Sequence, residues 1–213
     1  DENAIPIVKI GDVTNKRPIE NLNYLSTKEF ARFGSQQINE WDILMTMTGD
    51  PPDVGKCNIW QVNNGSLLAF NQRVCKITAK KGVSAPALYA YLSTEYARCF
   101  AERYAMGIRQ RNVSIKDIKN ITIHTLTSEV TTEIEINITK HFILLESSKK
   151  DYSDAEQLLL KEINLFEYRP SDKNTSVRSL TESLADNRFD AEYWQPDFDV
   201  IQNAIKRNKD GFD

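Results

Sequence analysis

One segment constrains the fold more than any other: from Ser128 to about Tyr168 the chain contains neither glycine nor proline. Those two residues most often interrupt helices, so their absence favours one continuous helix. Thr127 or Ser128 can cap the first turn, and Glu129 lies where the helix dipole favours negative charge. Arg169-Pro170 then ends the run. At 1.5 Å per residue, the predicted helix is roughly 60 Å long.

The apolar residues of this segment fall at intervals compatible with alternating threes and fours, which places them on one stripe of the helix. A compact domain of this size needs no such helix for its own core. The stripe therefore predicts a partner helix, from another part of a longer chain or from a second copy. Two ordinary helices broken near Ser147-Ser148 are the alternative. The predicted partner contacts are Ile134, Ile138, Phe142, Leu145, Tyr152, Leu159, Ile163 and Phe166.

Residues 1–125 have the pattern of a mixed α/β domain, with short β-prone segments separated by turn residues. Ser84-Ala85-Pro86 is typical of a helix start, and the apolar spacing extends that helix towards Gly107. Ser114 begins a second, short helix. Gly11-Asp12 indicates a turn. Strands are predicted over residues 5–10, 42–47, 57–62, 67–77 and 121–123.

The sequence divides into three predicted parts: residues 1–125, the long helix within 126–170, and a tail of residues 171–213. The tail starts as a polar linker to about residue 190. It continues into a short amphipathic helix that carries Phe198, Ile201 and Ile205. The predicted fold class is therefore α+β: a mixed α/β domain followed by a long coiled-coil-type helix and a short helical tail.

The cysteines and histidines argue against several functional classes. Cys57, Cys75 and Cys99 are odd in number and widely spaced, which argues against a disulfide framework or a zinc ribbon and suits a reducing cytoplasm. His124 and His141 are the only histidines and share no ligand spacing, so we expect neither a metal nor a cofactor. No apolar run is long enough to cross a membrane.

Charge is distributed unevenly along the chain. Residues 1–125 hold 16 Lys and Arg against 12 Asp and Glu, whereas residues 126–213 hold 11 against 18. A basic front half and an acidic back half suggest that the two halves meet different partners. The chain begins at Asp1 with no signal peptide, which we interpret as the start of a fragment.

Four features occur in an order that resembles a known family. Residues 188–196 read Arg-Phe-Asp-Ala-Glu-Tyr-Trp-Gln-Pro, and residues 70–77 read Phe-Asn-Gln-Arg-Val-Cys-Lys-Ile. Gly107 to Ser114, followed by Ile118 and Ile121, matches the pattern G-x-x-Q-x-N-x-S. With the long helix between them and the tail, these motifs resemble the specificity subunits of type I restriction-modification systems over nearly the whole chain.

The resemblance implies that residues 1–125 are a DNA target-recognition domain and that the long helix is its spacer. A complete subunit of that family carries two such halves, whose helices pack antiparallel and set the distance between two half-sites. The implied partners are double-stranded DNA, methyltransferase (modification) subunits and a restriction subunit. The long helix would meet a second half or a second copy. The tail of residues 171–213 would be a linker and the start of a second recognition half. The chain departs from the family pattern because it contains only one complete half.

The residue types of two loops suit DNA recognition. Arg can hold guanine, and Gln or Asn can hold adenine, so the segment from Gly107 to Ser114 is the first candidate. The loop from Thr46 to Trp60 is the second. Arg73, on the strand after that loop, is a candidate phosphate contact. The alternative is that Gln110 and Asn112 brace the backbone. The predicted DNA contacts are Thr46, Thr48, Lys56, Asn58, Arg73, Arg109, Gln110, Arg111, Asn112, Ser114 and Lys116.

Two further expectations concern Ser114 and the strand before Val74. Capping by Ser114 would leave the first N–H groups of its helix available as a phosphate seat. On a regular strand, Gln72 and Arg73 would point to opposite faces, so at most one of them would face DNA.

No catalytic constellation is evident, and the chain is expected to be non-catalytic. Gly49-Asp50-Pro51-Pro52-Asp53 is similar to the (D/N)-P-P-(Y/F) site of amino-methyltransferases, but Asp53 replaces the aromatic residue that would stack on a flipped base. We interpret Asp50 to Asp53 as a turn. Two rivals remain: the C-terminal recognition region of a fused methyltransferase-endonuclease, and a coiled-coil interaction protein with no nucleic-acid role.

Overall fold

A computed structural model describes residues 4–19, 22–32, 37–50, 53–62, 67–108, 110–169 and 175–207. The fold is α+β, 45% helical and 14% strand, with a long helix over residues 128–162, which confirms the predicted class. Contacts divide the chain between Lys140 and His141 into a first unit, Asp1–Lys140, and a second unit, His141–Asp213. This division falls inside the long helix.

Three small sheets organise the described part of the first unit. The strands are β1 (Ile5–Val8), β2 (Asn23–Leu25), β3 (Ile43–Thr46), β4 (Thr48–Gly49), β5 (Cys57–Ile59), β6 (Ala69–Phe70), β7 (Val74–Ile77) and β8 (Arg111–Asn112). Strand β1 pairs with β2 antiparallel and with β6 parallel. Strand β3 pairs antiparallel with both β5 and β7. Strands β4 and β8 form a separate antiparallel pair.

Eight helices are present in the described residues. They are α1 (Ile10–Thr14), α2 (Thr27–Phe30), α3 (Ala85–Leu92), α4 (Glu95–Tyr104), α5 (Ile115–Ile118), α6 (Ser128–Glu162), α7 (Leu180–Ala185) and α8 (Pro196–Arg207). Several begin at a serine or threonine whose side chain accepts a hydrogen bond from the N3 backbone amide, including α3, α4, α5 and α7. This capping satisfies amides that the helix itself leaves unpaired.

The core of the first unit forms around β3, whose four residues are all buried. Its apolar cluster consists of Val8, Val13, Leu22, Ile38, Leu44, Trp60, Val62, Leu68, Phe70 and Val74. The buried carboxylate of Asp42 lies just before β3 and accepts hydrogen bonds from the Thr78 hydroxyl at 2.5 Å and the Asn39 amide at 2.8 Å. Lys76 lies 3.6 Å from the same carboxylate, so its charge is compensated.

The prediction of one strand over residues 67–77 is wrong, because a turn divides this segment into β6 and β7. The Asn71 side-chain oxygen accepts a hydrogen bond from the Arg73 amide at 2.8 Å, and the Val74 amide donates to the Asn71 carbonyl at 3.1 Å. An asparagine that closes its own turn in this way competes with the strand ladder. Arg73 therefore lies in a turn, and the predicted alternation of Gln72 and Arg73 across a strand does not apply.

Four other predicted elements differ from the structure. The helix predicted from Ser84 towards Gly107 is two helices, because Thr94 caps a new helix directly after α3. Gly11 and Asp12 lie inside α1 rather than in a turn, since the Asp12 carboxylate accepts the Lys9 amide at 2.9 Å. Residues 121–123 follow α5 without joining a sheet. The strand predicted at 5–10 ends at Val8.

The long helix begins at the predicted residue, Ser128, but ends at Glu162 rather than near Tyr168. Asn164 has a φ of 59°, in the left-handed region. The Leu165 amide donates to the Leu160 carbonyl at 2.8 Å and the Asn164 amide donates to the Lys161 carbonyl at 3.1 Å. This is the Schellman arrangement that satisfies the last carbonyls of a helix. The helix is unbroken at Ser147-Ser148.

Candidate nucleic-acid interface

The short sheet of β4 and β8 joins the two loops that the sequence predicted as DNA-contacting segments. Thr48 is paired with Asn112, and Gly49 with Arg111. The segment before β8 folds back on itself, because Met106 and Asn112 exchange backbone hydrogen bonds of 2.9 and 2.8 Å. Residues about 60 positions apart in sequence thus become direct neighbours.

Met47 connects this sheet to the turn that carries Arg73. The Met47 amide donates to the Arg73 carbonyl at 2.9 Å, and the Val113 amide donates to the Met47 carbonyl at 2.9 Å. Three segments, 46–49, 71–73 and 110–114, therefore lie side by side and are joined through main-chain groups. We refer to these three segments together as the joined loops.

Two of the predicted contacts, Thr46 and Thr48, are buried, and we correct both to structural roles. Thr46 is fully buried, and its hydroxyl donates to the Asp53 carbonyl within the loop. Thr48 is only 6% exposed, and its hydroxyl donates to the Asn112 side-chain oxygen at 2.5 Å. Neither hydroxyl is available to a base edge. The two threonines brace the joined loops instead.

Lys56 and Asn58, the other two predicted contacts of this loop, have partners within the chain. The Lys56 ammonium is 2.7 Å from the Asp53 carboxylate, and about a third of its side chain is exposed. Asn58 is half-buried in β5 opposite Leu44, and its side-chain oxygen accepts the Ile59 amide at 3.0 Å. Asp53 also donates its amide to the Asp50 carbonyl at 2.6 Å, which is the hydrogen bond expected for the predicted turn.

Arg111 is the most informative of the remaining predicted contacts. It is half-buried on β8, and its Nε is buried with no hydrogen-bond partner among the described residues. A buried donor on a charged group is costly to leave unpaired, which distinguishes Arg111 from the other predicted contacts. Gln110 and Arg73 are exposed close by in the joined loops. Arg109 lies outside the described residues.

Ser114 and Lys116 lie at the start of α5, where the sequence suggested a phosphate seat. The Ser114 hydroxyl accepts the Asp117 amide at 3.1 Å and donates to the Asp117 carboxylate at 2.6 Å. This places a negative charge at the helix start, where a phosphate would have to bind. The predicted phosphate seat at α5 is therefore wrong. Lys116 is exposed.

The predicted partner face of α6 is largely exposed to solvent. No residue of α6 is buried. Ile134, Ile138 and Phe142 are half-buried, whereas Leu145, Tyr152 and Leu159 are exposed. Ile163 and Phe166 lie beyond the end of the helix, so the prediction that they continue its stripe is wrong.

The motif at 188–196 forms a closed turn between α7 and α8. The Arg188 guanidinium binds the Asp190 carboxylate through Nε at 2.6 Å and a terminal nitrogen at 3.0 Å. The Asp190 carboxylate also accepts the Tyr193 amide at 2.9 Å, and the Trp194 indole nitrogen donates to the Arg188 carbonyl at 3.0 Å. Arg178 stacks on the Trp194 ring at 4.8 Å. We call Arg178, Arg188, Asp190, Tyr193 and Trp194 together the tail cluster.

The Arg188 hydrogen bond, followed by that from the Tyr193 amide, lowers the pKa of Asp190 to about 2. Burial raises the pKa values of the Cys57 and Cys75 thiols to about 11, which makes them poor nucleophiles at neutral pH. In the described ranges, no three His, Cys, Asp or Glu side chains are grouped so that they could hold a metal ion. None of the described helices is both long and apolar enough to span a bilayer.

No model of a protein family matches the chain, and a search of curated proteins finds no significant match.

Proposed function

We propose that this chain is a sequence-specific DNA-recognition subunit of the type I restriction-modification kind, and that it is not itself catalytic. The joined loops read one half-site, and α6 sets the spacing to the second. In this proposal, methyltransferase and restriction subunits supply the chemistry. The motifs at 70–77, 107–114 and 188–196 and the long helix support this choice of family by their resemblance and order.

The observation that carries the proposal is the position of Arg111. Three segments with base-reading or phosphate-binding side chains are joined around it, and its side chain is only half-buried. A guanine edge or a backbone phosphate offers the acceptors that a guanidinium binds best. Gln110 and Arg73, both exposed in the same loops, add side chains of the types that contact bases and phosphates.

The test compares Arg111→Ala with Arg32→Ala in the chain assembled with methyltransferase subunits. Arg32 is an exposed arginine of the first unit outside the joined loops, so its loss removes the same charge. We expect Arg111→Ala to weaken binding of the target duplex by about 1–3 kcal/mol and to reduce site-specific methylation, with the thermal midpoint unchanged. Unchanged site-specific methylation in Arg111→Ala would contradict the assignment of this site.

A second candidate function is a protein-interaction role without nucleic acid. The exposed apolar residues of α6 favour it, since they offer a surface for a partner helix. It predicts that duplex DNA is not bound even when methyltransferase subunits are present. A third possibility, a recognition region fused to a methyltransferase-endonuclease, shares the same recognition residues. The gene sequence upstream of Asp1 distinguishes it, because methyl-donor motifs would be encoded there.

A further inference from the structure

A second site lies in the first unit, in a cavity that the joined loops do not include. The cavity has a volume of about 250 Å³ and opens between the end of α1, the 53–57 loop and the junction of α3 and α4. Lys16, Lys56 and Arg98 all line it. Three cationic side chains from three separate segments thus line one small space.

The remaining polar lining suits an anion as well. Thr14 and Ser93 contribute hydroxyl groups, and the Cys57 thiol lies 3.4 Å from the Ser93 oxygen. Because burial raises the pKa of the Cys57 thiol to about 11, this group carries no negative charge at neutral pH. Hydroxyl and cationic side chains are the usual side-chain contacts of phosphate oxygens in proteins.

Among the described residues, three carboxylates pair with two of these cations, and none of the three lines the cavity. Asp53 holds Lys56 at 2.7 Å, while Glu102 and Glu95 hold Arg98 at 3.2 and 3.4 Å. These pairs orient two of the cations before any ligand arrives. Lys16 makes no ion pair with any described residue, and its ammonium lies 5.9 Å from the centre of the Tyr89 ring.

Two residues of the cavity wall, Gly55 and Lys16, have left-handed backbone conformations, and that of Lys16 is unfavourable. Gly55 has a φ of 82°, and a Cβ there would lie 2.6 Å from the Cβ of Ala101. The Gly55 amide donates to the Thr46 carbonyl at 3.0 Å. Lys16 has a φ of 51°, which is uncommon for a side chain of its size. Unfavourable backbone that the surrounding fold maintains often marks a preformed binding site.

We infer that this cavity binds a phosphate group, with Lys16, Lys56 and Arg98 as its cationic contacts and Ser93 as a hydroxyl contact. Its volume lies below the ~300–1,000 Å³ of pockets that enclose drug-sized ligands, so it accommodates a group rather than a large molecule. The phosphate can come from a DNA backbone or from a free phosphate compound. Only the DNA source rests on the proposed function.

The experiment follows the amide resonances of Gly55 and Ser93 in the full chain. Three probes are added at constant ionic strength: inorganic phosphate, a 5′-mononucleotide and a duplex oligonucleotide. Each is repeated with Lys16→Gln, with the charge-retaining Lys16→Arg, and with Lys28→Gln. Lys28 is an exposed lysine of α2 that does not line the cavity, so it serves as the matched control.

We expect saturable shifts at Gly55 and Ser93 that weaken at least about fivefold in Lys16→Gln but not in Lys16→Arg or Lys28→Gln. If the duplex produces these shifts, the number of phosphate contacts inferred from the salt dependence of its affinity also falls by about one in Lys16→Gln. Shifts with free phosphate or nucleotide alone assign the site to a free ligand and leave the DNA proposal without this support. The inference is overturned if no probe shifts these resonances, or if Lys16→Gln and Lys28→Gln behave alike.

Discussion

At the scale of single residues, Gly55 is a position where the fold leaves no room for a side chain. Its left-handed φ and the 2.6 Å approach of a Cβ to Ala101 both oppose a side chain. We expect Gly55→Ala to lower the free energy of unfolding of the first unit by about 2–4 kcal/mol, because strain and overpacking add. Denaturant unfolding of the full chain measures this loss.

The control for this prediction is Gly11→Ala, since a Cβ at Gly11 would meet nothing within 4 Å. We expect that substitution to be neutral or slightly stabilising, because alanine favours a helix more than glycine does. The double variant Gly55→Ala/Ala101→Gly should recover part of the loss by removing the contact but not the φ strain. Equal stability of Gly55→Ala and Gly11→Ala would contradict the close approach.

Which residues could contact a ligand was only partly predictable from the sequence. The residue types in 107–114 indicate a polar loop, and the structure leaves Gln110 exposed there. Thr46 and Thr48 are likewise polar residues of a predicted DNA-contacting loop, yet both are buried. Their burial depends on long-range contacts, such as the pairing of Thr48 with Asn112, and no local pattern reports those. The same holds for the cavity beside Lys16, whose wall is assembled from three distant segments.

At the scale of secondary-structure elements, helix starts were more predictable than helix ends. Ser84, Ser114 and Ser128 stand at or next to observed starts, because capping depends on neighbouring residues alone. The end of α6 was missed because asparagine, not glycine, adopts the left-handed conformation at residue 164. Asn187 ends α7 with the same geometry. Asparagine tolerates this conformation but adopts many others, so the sequence signal is weak.

A prediction for the tail cluster concerns its response to pH. The pKa of Asp190 is about 2 in the folded chain against an ordinary value of 3.8. A carboxylate with a lowered folded pKa stabilises the fold above its unfolded pKa and loses that contribution as pH falls through the folded one. We expect the hydrogen bonds of the tail cluster to be intact above about pH 4 and to break between about pH 4 and pH 2. The indole N–H resonance of Trp194 reports this opening.

Asp190→Asn separates this cause from general acid unfolding. The amide cannot accept the paired bonds of Arg188 as a charged carboxylate does, so the Trp194 resonance should already be displaced at pH 6. It should also show no further step between pH 4 and pH 2. A step of the same size in both proteins would mean that another titrating group causes the opening of the tail cluster.

At the scale of the whole molecule, the exposed face of α6 predicts association. Ile138, Leu145, Tyr152 and Leu159 recur every seven residues, the repeat of a left-handed coiled coil. Three of them are exposed, at 41%, 76% and 59% for Leu145, Tyr152 and Leu159. We expect sedimentation equilibrium to show a concentration-dependent dimer of the full chain. Leu145→Glu/Leu159→Glu should weaken it at least about tenfold, because each charge would be buried without a partner.

The matched control places the same two charges away from the repeat. Ser147 and Gln157 are exposed on α6, each two positions from a substituted leucine and therefore about 200° around the helix from it. Ser147→Glu/Gln157→Glu should dimerise like the unchanged chain. A monomeric mass for the unchanged chain at high concentration would count against the α6 surface as a dimer contact.

The main-chain bonds that unite the joined loops have a consequence for how this protein tolerates change. Met47 is linked to Arg73 and to Val113 through backbone atoms alone, so these bonds do not depend on which side chains the flanking positions carry. Positions 73, 110 and 111 are thereby free to vary in sequence without loss of the scaffold, whereas Thr46 and Gly55 are not. A mutational library should therefore find new binding preferences at the first group and mostly unfolded chains at the second.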